Sequence, residues 1–220
     1  MMDGIANTEE KRARYMQTIY RKASDMDQLI DELFLFSKLD LQMVAFDFKL
    51  IDIRRYVDHF MEEQRFDLNK SEVKLTYEHA DDSSIMVAAD PDKLSRVLMN
   101  ILENCVKYMG HQPESSCKEI HVSIRELEHD ALLVIEDTGP GIEEDALPLI
   151  FDRFFRAEQS RNSETGGSGL GLAIVKQIIE GHGGTVWAEN AEQGGARFYL
   201  KLPKASAAKT VSKDEEHTNH

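Results

Sequence analysis

The stretch Ser163–Gln177, SETGGSGLGLAIVKQ, places four glycines within six residues directly ahead of an apolar helical pattern. That order narrows what the chain can build. A helix entered from such permissive backbone offers unpaired N–H groups and a partial positive charge, and glycine lets an anion approach closely. A plain flexible loop has the same composition, so the glycines alone leave both readings open. No G-x-x-x-x-G-K-[ST] run is present, which excludes a P-loop. The residues ahead of the glycines form an arginine-bearing loop rather than a strand, unlike a dinucleotide-binding fingerprint. Such a loop can serve as a lid.

The rest of the chain alternates between helical and extended patterns. Residues 8–44 read as one helix, with Thr8 as its cap and acids in its first turn. Tyr15, Ile19, Met26, Leu29, Ile30, Leu33, Phe36 and Leu39 recur at helical spacing. Its length points to a helical hairpin or coiled-coil arm rather than an ordinary core helix. FDFKLIDI reads as a strand or a linker, IRRYVDHFMEEQRF as a helix, and VKLTYEH and SIMVAAD as short strands. In DPDKLSRVLMNILENCVKYM, Asp90 caps a helix with Pro91 at its first position, and Leu94, Val97, Leu98, Ile101, Leu102 and Cys105 form its buried face. KEIHVSIREL and ALLVIED read as strands joined by a short turn, GLAIVKQIIEGHGG as a helix stopped by glycine, and TVWAEN and ARFYLKL as closing strands. Short turns favour antiparallel pairing with helices on one face. The tail after Pro203 is polar and reads as disordered.

Composition excludes several classes. A net charge of −14 argues against general nucleic-acid binding. No apolar run approaches the roughly 18 residues that span a membrane, and the N-terminus has no apolar signal core. The two cysteines are too few for a disulfide framework, and the eight histidines show no zinc-type pairing. These features fit a cytoplasmic location.

Three further stretches carry polar groups in suggestive places. In NILENCVKY, Asn100 and Asn104 share a helix face, with Lys107 and Tyr108 a turn beyond. Amides and a cation on an apolar helix need partners, which a Mg²⁺ ion and a triphosphate would supply. A solvated polar helix edge is the competing reading. In DTGPGI, Asp137 ends a strand where an exocyclic amine such as adenine's could donate to it, and Gly139 and Gly141 permit a tight turn against a flat ligand. A capped strand-to-helix turn has the same residues. In FDRFFRAEQSR, Phe151, Phe154 and Phe155 can pack a loop, while Arg153, Arg156 and Arg161 reverse the local sign of an acidic chain.

Together, in this order, the four stretches resemble the ATP-binding domain of bacterial sensor histidine kinases, in the gyrase, heat-shock chaperone and mismatch-repair ATPase superfamily. NILENCVKY resembles the asparagine box, DTGPGI the first glycine box, FDRFFR the phenylalanine box and GGSGLGLAI the second glycine box. The resemblance implies an α/β (α+β) two-layer sandwich, a mixed, mostly antiparallel sheet packed on three helices, with a long helix ahead of it. Residues 1–44 resemble the turn and second helix of a dimerisation and histidine-phosphotransfer hairpin. Residues 45–203 resemble the catalytic domain, and residues 204–220 are left as the tail. ATP and Mg²⁺ are the implied cofactors. Residue by residue, Asn104 is implied to hold Mg²⁺ with Asn100 beside it, Lys107 to meet phosphates, and Tyr108 to lie by the base or ribose. Asp137 is implied to bind the adenine amine, Gly139 and Gly141 to shape the base pocket, and Gly167, Gly169 and Gly171 to let lid and helix meet the phosphates. Ile142, Phe154, Arg156, Leu170 and Leu172 complete the implied ATP-binding set.

The sequence also departs from that family. No histidine here stands in the context H-E-[LI]-[RK]-T-P that a phospho-accepting first helix carries; His59, in VDHFMEE, follows the second helix instead. The chain therefore reads as a truncated kinase whose acceptor histidine comes from a partner, and the implied partners are the histidine-bearing hairpin of an intact kinase or a homodimer partner. A response regulator is the implied onward partner, and the intact parent is expected to be membrane-anchored. Hydrolases of the superfamily carry Glu four residues before the metal-binding Asn. Here that position is Asn100, which cannot accept a proton, and Glu103 lies about 100° around the helix from Asn104. The expectation is slow hydrolysis and transfer to histidine, with a non-catalytic binding module or a weak ATPase as the alternatives.

Overall fold

The computed structural model describes residues 9–41, 43, 45–79, 83–110, 117–156 and 168–205. Four helices and seven strands lie among them: α1 (Glu9–Asp40), β1 (Lys49–Asp52), α2 (Ile53–Lys70), β2 (Lys74–His79), β3 (Met86–Ala89), α3 (Pro91–Met109), β4 (Glu119–Glu126), β5 (Asp130–Asp137), α4 (Gly171–Gly181), β6 (Thr185–Asn190) and β7 (Ala196–Pro203). No helix among the described residues is long and apolar enough to cross a membrane.

The main sheet has the order β2-β4-β5-β7-β6. β4, β5, β7 and β6 pair antiparallel, and β2 runs parallel to β4. A parallel neighbour requires a long connection, and the segment between β2 and β4, which contains α3, provides it. The strands alternate in burial, with Ile120, Val122 and Ile124 of β4 and Phe198, Leu200 and Leu202 of β7 facing the core. Helices α2, α3 and α4 cover that face, and the result is the expected two-layer sandwich of a mixed sheet on helices. β1 and β3 form a separate two-stranded antiparallel sheet, so the segment left open between strand and linker is a strand from Lys49 only.

α2 and α3 begin where an aspartate satisfies free N–H groups, Asp52 and Asp90 respectively, whereas α4 starts after Leu170 with no side-chain cap. Asp90 accepts from the backbone N–H of Asp92 and Lys93 at 3.0 and 3.1 Å, and Pro91 follows at the first position. Its other carboxylate oxygen accepts from Asp47 N–H at 3.0 Å, tying the connection after α1 to the same cap. Seven apolar side chains of α3 are buried, at about 1.5–3 kcal/mol for each large one removed from water.

α1 ends at Asp40, a few residues earlier than the sequence pattern suggests, and its cap candidate Thr8 lies outside the described residues. Tyr15, Ile19, Met26, Leu29, Ile30 and Leu33 are exposed, whereas Glu32, Phe36 and Leu39 near its C-terminus are buried. The helix is an arm whose last turns pack on α4. At the other end of the chain, pairing continues past the expected end of the domain. Lys204 bridges Val87, and Ala205 N–H donates to the Met86 carbonyl at 2.7 Å. Residues 206–220 lie outside the described residues.

Candidate nucleotide site

Between α3, the end of β5 and the start of α4 lies a cavity of about 230 Å³. Of the residues singled out from sequence, Asn100, Asn104, Lys107, Tyr108, Asp137, Gly141, Ile142, Arg156, Gly169, Gly171 and Leu172 line it. One amphipathic helix, one strand end and one helix start therefore converge.

Asp137 lines the cavity and is only 4% exposed. Its Oδ1 accepts from Gly139 N–H at 2.7 Å and Ala196 N–H at 3.2 Å. Burial raises its carboxyl pKa, against the pull of those two backbone donors and of the Cys105 side chain. Cys105 lies buried behind it, and burial together with the Asp137 charge drives its thiol pKa well up, so it is an inert packing group. Gly139 is not part of the wall; its backbone N–H serves to hold Asp137. Gly141 adopts φ +79°, and a Cβ there would lie 2.9 Å from Asn190 Oδ1, so this turn requires glycine.

The lining also carries two cations, Lys107 and Arg156. Lys107 is half-buried, and burial lowers its pKa, with the Arg156 charge pushing the same way. An anion beside Lys107 would oppose both effects on it. The first residue of α4, Gly171, lines the same cavity. Asn100, 8% exposed, donates from Nδ2 to the Gly171 carbonyl at 3.1 Å. That leaves its amide oxygen as the hard acceptor next to the Asn104 amide. Gly169 takes φ +72°, with Phe154 N–H donating to its carbonyl at 3.0 Å; a Cβ there would lie 2.8 Å from the Phe154 carbonyl carbon.

Several placements differ from expectation. Phe154 is 61% exposed and sits at φ +59°, turned away from the cavity, which Phe155 lines instead. Leu170 is buried beneath the wall, where its N–H donates to Ser168 Oγ at 2.8 Å. Arg153 lies over the Phe36 ring, 4.8 Å from its centroid, facing α1. Gly167 and Arg161 lie outside the described residues. Glu103, about 100° around the helix from Asn104, also lines the cavity. Burial raises its carboxyl pKa, and the Glu32 charge adds to the effect. Glu32 itself, Ile150 and Phe198 are lining residues that no motif signalled, and Ser168 lies within the second glycine stretch but was not singled out. The aromatic character of Phe198 was visible, but only the β5–β7 register, which pairs it with Ile135, brings it to the cavity that Asp137 lines.

Among the described residues no group of three or more His, Cys, Asp or Glu side chains could hold a metal by itself. The cavity lining includes the amide oxygens of Asn100 and Asn104, which fit a hard ion whose remaining ligands come from phosphate and water.

Known proteins carry related sequences and folds. Residues 89–206 match the family described as histidine kinase-, DNA gyrase B- and HSP90-like ATPase. The sensor histidine kinase WalK of Bacillus subtilis (strain 168) is 29% identical over 203 residues, which is 92% of this chain and 32% of that protein. The chain thus spans about a third of the length of that relative. Full-length ShkA in complex with AMPPNP superposes with a TM-score of 0.73 at 23% identity, over 92% of this chain and 41% of that one. The histidine kinase ThkA in complex with the response regulator protein TrrA gives 0.71 at 22% identity, over 90% of this chain and 53% of that one.

Proposed function

Since the chain belongs to the histidine kinase-, DNA gyrase B- and HSP90-like ATPase family, we propose that it is the ATP-binding catalytic portion of a sensor histidine kinase, which transfers the γ-phosphate of Mg-ATP to a histidine carried by a partner hairpin. The observation that carries this reading is the lining of one cavity, which combines a buried carboxylate, Asp137, with Lys107, Arg156 and the first residue of α4, Gly171. An adenine amine donates to the carboxylate, and phosphates meet the cations and the helix start.

Asn104 and Asn100 would hold Mg²⁺, which when bound neutralises phosphate charge. Lys107 and Arg156 steady the same charge, and Tyr108 borders the base or ribose. Gly141 and Ile142 wall the base. Neutral imidazole already offers a lone pair near pH 7, so positioning and charge neutralisation are enough. In the transfer the imidazole nitrogen bonds to the γ-phosphorus, the bond from that phosphorus to the ADP oxygen breaks, and the ring gives up its proton to solvent. α1 carries no histidine, and the acceptor we propose is the histidine-bearing hairpin of an intact kinase. A response regulator aspartate is the onward acceptor, in keeping with the ThkA–TrrA complex.

The test is incubation with γ-labelled ATP and Mg²⁺, alone and with a separately made histidine-bearing hairpin. Acid-labile label on the hairpin, lost in Asn104→Ala, is the expected result. Tight nucleotide binding with no label on the hairpin favours the alternative, a binding module. Glu103 in the cavity favours a second reading, a weak ATPase, marked by phosphate release without acceptor.

A further inference from the structure

The loop that walls the base end, 138–142, is tied down at both ends by one rung of the β6–β7 ladder. Asn190, the last residue of β6, pairs in register with Ala196, the first of β7. From this rung the Ala196 N–H donates to Asp137 Oδ1 at 3.2 Å, holding the start of the loop. The Asn190 side chain reaches the loop's far end, where it accepts from Ile142 N–H at 2.7 Å and donates to the Ile142 carbonyl at 2.7 Å. The amide thus copies a strand neighbour for a single residue that has left the sheet. Gly141 completes the fit, because its missing Cβ is what lets Asn190 Oδ1 come so near.

We propose that Asn190 is a positioning residue for nucleotide binding: its paired hydrogen bonds to Ile142 fix the base-facing wall at the distance from Asp137 that an adenine ring requires. The inference rests on the nucleotide reading above. Asn190 does not line the cavity, so it acts through Ile142 and Gly141, which do. It is exposed, and the two hydrogen bonds to Ile142 are the contacts its truncation removes, so the loss is confined to the loop wall. Its effect should therefore fall on binding, where preorganisation of the wall removes an ordering cost.

The experiment titrates wild type and Asn190→Ala with a non-hydrolysable ATP analogue and Mg²⁺, recording Kd, stoichiometry and Tm, and follows amide exchange at Ile142. Loss of two exposed hydrogen bonds is expected to raise Kd roughly three- to tenfold. Exchange at Ile142 should quicken while amides of the β5–β7 ladder and the stoichiometry stay as in wild type. A merely structural role would lower Tm and stoichiometry and leave Kd alone; that result overturns the proposal, as does a raised Kd with unaltered exchange at Ile142. If Asn190→Ala does not fold, Asn190→Asp, which keeps the acceptor for Ile142 N–H but loses the donor, is judged by the same readouts. Failure of wild type to bind the analogue overturns the nucleotide reading and this role with it, whereas normal wild-type binding with Kd unchanged in the variant overturns this role alone.

Discussion

The Ser168 hydroxyl donates to the Glu32 carboxylate and accepts from the Leu170 N–H. Glu32 belongs to α1 and Ser168 to the approach of α4, so the arm supplies an anion to the helix end where phosphate is proposed to sit. Charges of like sign compete for such a site. Replacing Glu32 with Gln keeps a partner for Ser168 and removes the charge. The expected outcome is tighter Mg-ATP binding, about three- to tenfold at low salt, from an effect of about 0.7–1.4 kcal/mol. Calorimetric titration checks it, and the gain should shrink as salt is added. An unchanged Kd would mean that the carboxylate leaves when phosphate arrives.

Asp137 offers a pH test. Its pKa is raised, first by burial, so the folded chain holds this proton more firmly than the unfolded chain does. Stability from this group is then present at low pH and falls as pH rises from the ordinary value of 3.8 through the raised one. Amine recognition needs the ionised form, so nucleotide affinity moves the opposite way, full at neutral pH and weakening as pH falls through the same window. Asp137→Asn should weaken binding by about tenfold or more, as loss of a charge-assisted hydrogen bond does. It should also hold or raise Tm at pH 7, read by scanning calorimetry alongside the titration. A Tm well below wild type would show that the carboxylate is structural.

How far the sequence foretells such details depends on how local they are. Asp90, Pro91 and the buried stripe of α3 announce a helix because caps and periodicity act within a few residues. The pairing of Asn100 with Asn104 follows from the same helix. Glu32 and Ser168 are 136 positions apart, and nothing in either neighbourhood signals the other; only the packing of α1 on α4 joins them. Asn190 is likewise invisible, since its value comes from the β6–β7 register. Glu103 shows a subtler limit. The helical wheel places it correctly relative to Asn104, but the width of the cavity decides whether that angle matters. Phe154 shows the converse: its motif was legible, yet the residue sits at φ +59° and is largely exposed, while Phe155 lines the cavity.

Asn104→Ala tests the metal. Its amide oxygen is proposed as a Mg²⁺ ligand, so the variant should lose most of the advantage that Mg²⁺ gives to ATP binding. Affinity for ATP in the presence of chelator should change little. Paired titrations with and without Mg²⁺ give the difference, expected at about tenfold, equivalent to roughly 1.4 kcal/mol. Equal losses in both conditions would place Asn104 on the nucleotide rather than the ion.

Glu103 bears on hydrolysis. It lines the cavity, and burial and the Glu32 charge raise its pKa, so it can take a proton from water nearer neutral pH than an exposed glutamate. Acceptor-free phosphate release should be slow and should climb with pH above the ordinary value of 4.5. Glu103→Gln should reduce it by about 10²-fold, the scale of a general base. Release that is flat with pH and indifferent to this change would assign the activity to solvent alone.

His182 sets the acid limit of the fold. Its Nε2 accepts from Asp90 N–H at 3.0 Å, and its Nδ1 lies 2.7 Å from the Ile178 carbonyl, so the ring is the neutral tautomer with the proton on Nδ1. Phe46 and Phe48 meet the ring edge-on at 5.1 and 5.3 Å between centroids. Burial lowers its pKa below 6.5, opposed by the hydrogen bond to Ile178 and the charge of Asp90. A protonated ring cannot accept from Asp90, and the unfolded chain takes up the proton first as pH falls. The stability it contributes is whole above about pH 6.5 and is lost as pH falls from there through the lowered folded value. In His182→Phe the Asp90 N–H loses its acceptor, which costs about 1–3 kcal/mol at neutral pH. The decline of Tm between pH 6.5 and 5 should then flatten, because the titrating group is gone. Thermal scans of both proteins across that range decide it: parallel declines would assign the acid sensitivity to the carboxylates instead.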